Sequence, residues 1–108
     1  MGSYQSFELD DLQADRSRSY AELLRRPGLS MGIYHLPVDG RDPQHPHSAD
    51  EVYVVLAGRA VLEVEGERLD MQRGRVVSVD VGADHRFVDI SDDLSVLVVF
   101  APPDSPEG

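Results

Sequence analysis

The stretch GRDPQHPHSADEVYVVLAG, residues Gly40–Gly58, decides how this chain is interpreted. It places two of the four histidines one residue apart, His45 and His47, and follows them with an acid at Glu51. Alternate side chains of an extended segment share a face, so both histidines point the same way and the same alternation reaches Glu51. Two imidazoles and one carboxylate on one face are typical of a metal site.

Two prolines, Pro43 and Pro46, flank this histidine pair. Proline offers no N–H group to a β-ladder and stiffens the backbone, which favours an edge segment that presents ligands. A histidine pair in a loop before a strand is also commonly exposed and without chemistry. This stretch alone therefore leaves both interpretations open.

Composition limits the classes of protein that the chain can belong to. Its 108 residues are enough for one domain with one hydrophobic core. It has no cysteine, so disulfides and iron–sulfur clusters are excluded and a metal would need histidine, carboxylate or neutral oxygen ligands. The net charge of −10 repels phosphate backbones, so we expect no nucleic-acid partner.

The sequence contains neither a membrane span nor a secretory signal. No apolar run approaches the roughly 18 residues that a spanning helix needs. The first residues lack the basic-then-apolar pattern of a signal peptide. We therefore expect no membrane association and a cytoplasmic location.

From about Ile33 onward the pattern is typical of an all-β domain. Short apolar runs are separated by turn residues at spacings of roughly 8–12 residues. The predicted strands are Ser30–Leu36, Glu51–Ala57, Ala60–Val64, Glu67–Met71, Val76–Val79, His85–Asp89 and Ser95–Phe100. Tight hairpins are expected at Ala57–Arg59 and Glu65–Glu67, each with a glycine where a positive φ is needed.

The chain divides into a barrel over residues 29–101, an N-terminal extension over 1–28 and a flexible acidic tail over 102–108. Two strands, VYVVL and LSVLVVF, are apolar on both faces. The opposite sheet can cover one face, and the extension or a second subunit must cover the other. We therefore expect a homodimer.

The N-terminal extension admits two structures. Asp10 and Asp11 are suited to cap a short helix that runs through about Arg18. An added strand over Ser19–Leu24 fits the sequence equally well. We expect the extension to pack on the barrel or on the partner subunit.

A second stretch, GRVVSVDVGADHRFVD at residues 74–89, contains a further histidine at the start of a predicted strand. Alternation along this strand predicts an inward set of His85, Phe87 and Asp89. The Gly-Ala-Asp turn directly before His85 can bring the strand back over the first one.

Together the two stretches resemble the paired signatures of the cupin superfamily. Gly40-x4-His45-x-His47-x3-Glu51-x6-Gly58 is similar to the first signature, and Gly74-x5-Asp80-x-Gly82-x2-His85-x3-Asp89 is similar to the second. Asp80 and Asp89 depart from the family pattern, which has proline and asparagine there. The resemblance covers about Leu29 to Ala101.

This resemblance implies a double-stranded β-helix, a small jelly-roll barrel, with one divalent transition metal per chain. The implied ligands are His45, His47, Glu51 and His85, and the metal would be Fe, Mn, Ni, Co, Cu or Zn. Such a ligand set leaves one or two positions for water, dioxygen or a bidentate substrate.

The implied function is that of a metal-dependent enzyme acting on an oxygen-rich small molecule. Dioxygenase or other oxidoreductase chemistry is the favoured reaction class. Isomerase, epimerase or lyase chemistry and a non-catalytic metal- and metabolite-binding module are the alternatives. Asp89 is a candidate acid or base and Tyr53 a candidate donor to substrate. A core tyrosine and a strand-end carboxylate explain these two residues equally well. His35 is not expected to be a ligand and lies either on the pocket wall or on the surface.

Overall fold

The computed structural model describes residues 3–14, 19–42 and 48–104. In chain order the elements are helix α1 (Leu9–Ala14) and strands β1 (Tyr20–Arg26), β2 (Leu29–Leu36), β3 (Asp50–Val64), β4 (Glu67–Gln72), β5 (Val76–Val79) and β6 (His85–Ala101). The predicted all-β fold is confirmed. In the described ranges, no helix is long and apolar enough to cross a membrane.

All strands belong to one antiparallel sheet with the order β1-β2-β6-β3-β4, and β5 pairs with β3. The long strands β3 and β6 hold it together, because β3 pairs with β5 over its first half, with β4 over its second half and with β6 along both. The sheet bends on itself where the register of β3 slips between Val55 and Val61. This is the jelly-roll architecture that the resemblance implies.

The hairpin expected at Ala57–Arg59 is wrong, because β3 runs through these residues as one strand. Gly58 does adopt a positive φ of +92°, but within the bend of β3. A Cβ atom at Gly58 would lie 2.1 Å from the Asp93 carbonyl oxygen, so the close approach of β6 requires glycine here. At Glu65–Glu67 the predicted hairpin is confirmed, and both Glu65 and Gly66 have positive φ, as a type I′ turn needs.

The N-terminal extension contains both of the structures that the sequence allowed. The helix ends at Ala14, and residues 15–18 lie outside the described ranges. The strand β1 then pairs with β2 and extends the sheet. At the other end of the chain, the Asp104 N–H donates to Ser30 Oγ at 2.8 Å, so the expected flexible tail is anchored to β2 as far as Asp104.

Interior side chains of the barrel form rows of cross-strand neighbours. One row contains Ser30, Phe100, Glu51 and Val79, and the next contains Gly32, Val98, Tyr53 and Val77. Alternation along each strand fixes these rows, as in any pleated sheet. The first row brings the Glu51 carboxylate into the interior.

Candidate functional site

The site is built on a buried glutamate of β3. Glu51 and Tyr53 are each 1% exposed, so the predicted inward orientation of both side chains is confirmed. The Tyr53 hydroxyl donates to Glu51 Oε1 at 2.7 Å. A carboxylate held this deeply needs partners for its charge, since burying it alone would be very unfavourable.

His85 is the second partner of the carboxylate. It is 2% exposed at the start of β6, and its Nε2 atom lies 3.1 Å from Glu51 Oε2 and 3.0 Å from the Tyr53 hydroxyl. Two residues from stretches more than 30 positions apart in sequence thus meet inside the barrel. This is the arrangement that the two motifs implied for Glu51 and His85.

The imidazole of His85 is oriented by a backbone contact. Its Nδ1 atom lies 2.8 Å from the Ala83 carbonyl oxygen, which can only accept, so Nδ1 carries the proton and Nε2 faces Glu51. Burial lowers the pKa of His85. The hydrogen bonds to Glu51 and to the Ala83 carbonyl raise it by more, so the pKa lies above its usual value. When the imidazole is protonated its Nε2 atom donates to Glu51, and a metal ion at Nε2 would have to displace this Nε2 proton.

A second buried carboxylate, Asp42, was not predicted from the sequence. Asp42 is 7% exposed, its Oδ1 accepts from the Tyr34 hydroxyl at 2.6 Å and its Oδ2 accepts from the Phe87 N–H at 2.7 Å. Burial and this acidic partner raise the pKa of Tyr34. Asp42 lies in a polar loop without periodicity, so no sequence signal distinguishes it from a solvated aspartate in a turn.

Aromatic side chains complete the wall of the interior. The ring of Tyr20, from β1, meets Tyr34 and Phe100 edge to face at centroid distances of 6.5 and 6.2 Å. Its hydroxyl lies over Gly32, where a Cβ atom would be 2.2 Å away, and it has no hydrogen-bond partner among the described residues. Burial raises the pKa of Tyr20. The N-terminal extension therefore contributes directly to the barrel interior.

Asp89 does not point into the barrel, so its predicted inward orientation is wrong. Its side chain is 68% exposed and pairs with Arg68, which also contacts Glu63 at 2.7 Å. Asp89 has a positive φ of +48°, and this left-handed residue breaks the alternation that holds for His85 and Phe87. As an outward-facing residue, Asp89 is not positioned to act as an acid or base at Glu51 and His85.

His35 is buried at 7% exposure, and its Nδ1 atom lies 2.9 Å from Ser95 Oγ. It is adjacent in β2 to Tyr34, whose side chain enters the interior, so His35 belongs to the outer face of the sheet. His35 is neither a ligand of this site nor part of its wall.

The other two predicted ligands, His45 and His47, lie outside the described residues. Of the four implied ligands, the structure thus brings together Glu51 and His85. Within residues 3–14, 19–42 and 48–104, there is no group of three or more histidine, aspartate or glutamate residues placed to hold a metal.

An open cleft of about 840 Å³ lies between the β3–β4 turn and the loop that joins β5 to β6. Val64, Leu69, Val79 and Ala83 line it, and all four also pack against the core. Val79 is the cross-strand neighbour of Glu51, and Ala83 supplies the carbonyl that binds His85. The cleft therefore adjoins the site and is large enough for a small molecule.

Fold and site together define a small β-barrel with a carboxylate–imidazole pair at one end of its interior. Residues 32–100 match the Cupin domain family, and the chain belongs to that family. It is 46% identical to an uncharacterized protein of Streptomyces coelicolor over 103 aligned residues. The alignment covers 93% of this chain and 98% of that protein.

Solved structures agree on the fold. A Bacillus halodurans protein superposes with a TM-score of 0.83 at 17% identity, over 97% of this chain and 85% of that one. The DMSP lyase DddQ of Ruegeria pomeroyi superposes with a TM-score of 0.66 at 26% identity, over 70% of this chain. The present chain spans 39% of the lyase, so the likeness is to part of that protein.

Proposed function

We propose that this chain is a metal-dependent cupin enzyme that acts on an oxygen-rich small molecule. One divalent transition metal would be bound by His45, His47, Glu51 and His85. The observation that carries the proposal is the contact between Glu51 and His85 inside the barrel, 3.1 Å apart with each side chain 1% exposed.

The chemistry of this donor pair fits a metal. Two potential ligand atoms converge: a carboxylate oxygen of Glu51, and the Nε2 atom of His85, which offers a lone pair once it is deprotonated. The Nδ1 atom of the same imidazole is engaged by the Ala83 carbonyl. A backbone carbonyl on the far nitrogen is the usual support of a metal-binding histidine. The described chain on either side of residues 43–47 ends at Asp42 and resumes at Ser48, three residues before Glu51. Ser48 is thus close to Glu51 in sequence, and Asp42 bonds the N–H of Phe87, two residues from His85.

When bound, the metal would supply Lewis acidity and, for a redox ion such as Fe(II), a site for dioxygen. The chain's own residues would do the rest. The cleft beside the pair, where Val79 and Ala83 lie next to charged residues such as Arg68, would bind the substrate. The Tyr53 hydroxyl has one proton, which it donates to Glu51 in this structure, and it would redirect that proton to a substrate oxygen once a metal occupies Glu51. We propose dioxygenase-type oxidoreductase chemistry as the reaction class.

Tyr53 also favours a second candidate, a metal-assisted lyase or isomerase. A phenol at 3.0 Å from an imidazole and 2.7 Å from a carboxylate is placed to exchange a proton, which elimination and isomerisation need and oxygenation does not. The structural likeness to the DMSP lyase DddQ is in keeping with this alternative.

The metal site is tested by loading the chelator-stripped protein with Zn(II), Mn(II) or Fe(II) and measuring bound metal per chain. We expect one equivalent in the wild type and a near-complete loss in His47→Ala and His85→Ala, with the β-fold retained by circular dichroism. His35→Ala is the matched control and should retain its metal. Full metal content in His85→Ala would overturn the assignment.

The reaction class is tested on Fe(II)-loaded protein with small hydroxy- and oxo-acids, with and without oxygen. Oxygen consumption that depends on His85 supports the oxygenase. Product formation under nitrogen, lost in Tyr53→Phe, supports the lyase or isomerase. Binding without turnover under either atmosphere and with each metal would make the chain a binding module.

We also propose that the chain forms a homodimer through the outer face of its sheet. Ile33, Leu97 and Val54 are cross-strand neighbours on that face, and Leu97 and Val54 remain partly exposed. A second copy would cover them, which is favourable for a domain of this size. Sedimentation equilibrium should give twice the chain mass, and a monomer at micromolar concentration would contradict the proposal.

A further inference from the structure

Asp42 ties three parts of the molecule together. It lies in the loop after β2, and its carboxylate is buried at 7% exposure. One oxygen accepts from the Tyr34 hydroxyl of β2 at 2.6 Å, and the other accepts from the Phe87 N–H of β6 at 2.7 Å. The Phe87 amide therefore donates to a side chain instead of to a neighbouring strand.

A second contact shows how the loop runs along β6. The Asp39 N–H donates to the Ile90 carbonyl at 3.1 Å, and three residues later Asp42 binds the N–H of Phe87. As the loop advances from 39 to 42, its contacts on β6 thus move from 90 back to 87. The loop runs antiparallel to β6, and its direction is towards His85.

The chain resumes on the far side of residues 43–47 with contacts to the same neighbourhood. Ala49 is 4% exposed, and the Asp50 Oδ1 atom accepts from the Val81 N–H at 2.8 Å. Val81 belongs to the loop that leads into His85. Of these anchors, Asp42 is the one whose charged group is buried and bonded to two strands, β2 and β6.

We propose that Asp42 is a positioning residue for the metal site. Its carboxylate fixes the start of the segment that carries His45 and His47 against the strand that carries His85. This inference rests on the proposed function. Its physical basis is that a buried carboxylate bonded to a backbone amide resists displacement, because moving it would leave both the charge and the N–H group without partners.

Substitutions at Asp42 separate this role from plain stability. Asp42→Ala removes the bonds to Tyr34 and Phe87 and frees residue 42 from β6, while the contact of Asp39 with Ile90 remains. Asp42→Asn keeps the shape, can still accept from the Phe87 N–H and can donate its amide to the Tyr34 oxygen, so it should hold the loop more weakly. Met71→Ala is the matched control: Met71 is fully buried on β4, and its truncation opens a cavity in the same core.

The test is Zn(II) affinity of chelator-stripped protein, measured by competition with a chromogenic chelator at a temperature where circular dichroism shows each variant folded. We expect Asp42→Ala to bind Zn(II) about 10- to 100-fold more weakly than wild type, as losses of outer supporting contacts typically do. The Zn(II) affinity of Asp42→Asn should lie between those of Asp42→Ala and wild type, and that of Met71→Ala should stay close to wild type.

Wild-type affinity in Asp42→Ala would overturn the inference, and so would an equal loss in Met71→Ala, which would make the effect one of general stability. If Asp42→Ala does not fold, wild-type affinity in Asp42→Asn overturns it and a weakened affinity supports it. A wild-type protein that binds no Zn(II), Mn(II) or Fe(II) would overturn the metal site itself, and this inference would fall with it.

Discussion

The barrel contains two buried carboxylates that differ in what holds them. Asp42 is bonded to a tyrosine hydroxyl and a backbone amide, two donors whose hydrogen bonds to a carboxylate persist across ordinary pH. Glu51 is bonded to Tyr53 and to His85, whose imidazole can lose its proton and offer a lone pair. Burial therefore does not by itself indicate function. Among the described residues, the first acid is bonded to groups that fix the fold, and the second shares a partner, His85, that the proposed metal would bind.

The largest effect is expected when the structural acid is removed from the metal-free protein. Asp42→Ala leaves the Tyr34 hydroxyl and the Phe87 N–H buried without their acceptor, at about 1–3 kcal/mol each, so we expect the free energy of unfolding to fall by about 2–6 kcal/mol. Glu51→Gln should lose less, since the attraction of a buried ion pair is offset by its desolvation. Urea unfolding in chelator measures both. A greater loss in Glu51→Gln would reverse the comparison.

Stabilisation by bound metal should instead depend most strongly on Glu51, the proposed ligand. A ligand that binds the folded state alone stabilises it by about 2.7 kcal/mol at 100 times its dissociation constant. Stripping the loaded wild type with chelator should therefore lower its melting temperature by several degrees. In Glu51→Gln the same treatment should have almost no effect, because the metal is already lost. An unchanged melt of a wild type shown to contain metal would contradict a site inside the fold.

Tyr34 and Tyr20, whose rings pack against each other inside the barrel, form a matched pair. Tyr34→Phe removes a hydrogen bond to a buried charge and should cost about 1.5–3 kcal/mol. Tyr20→Phe removes a buried hydroxyl that has no partner among the described residues, so it should be neutral or stabilise by up to about 1 kcal/mol. Chemical denaturation of both variants checks this. An equal loss in both would mean that the Tyr20 hydroxyl is bonded in solution.

The smallest effect is expected outside the barrel. Asp89→Asn affects an exposed pair with Arg68, and exposed pairs contribute little to stability. We expect an unchanged unfolding midpoint, unchanged metal content and, once a substrate is known, unchanged turnover. A selective loss of turnover in this variant would return Asp89 to the active site.

Alternation predicted the parts of the site that lie in regular strands. Glu51, Tyr53, His85 and Phe87 all face inward, because each lies in a stretch where successive side chains change faces. The same rule failed at Asp89, where a positive φ breaks the alternation and turns the side chain outward. It failed in a different way at Gly58, where a glycine read as a hairpin is instead a bend in a continuous strand.

The remaining features depend on tertiary contacts that have no local pattern. Asp42 lies in a loop among other polar residues, and only the position of β6 makes it a buried anchor. Tyr20 has a spacing to Leu23 and Leu24 that suits a helix as well as a strand, and pairing with β2 selects the strand. Such choices are made by partners distant in the chain, which a reading of nearby residues does not contain.

The most direct test of the account is X-ray absorption at the zinc edge of protein loaded with one equivalent of Zn(II). The account predicts a first shell of nitrogen and oxygen at about 2.0–2.2 Å with strong multiple scattering from the imidazoles of His45, His47 and His85, and a weaker imidazole signal in His85→Ala. A shell of oxygen atoms without imidazole scattering, or a spectrum that His85→Ala leaves unchanged, would contradict it.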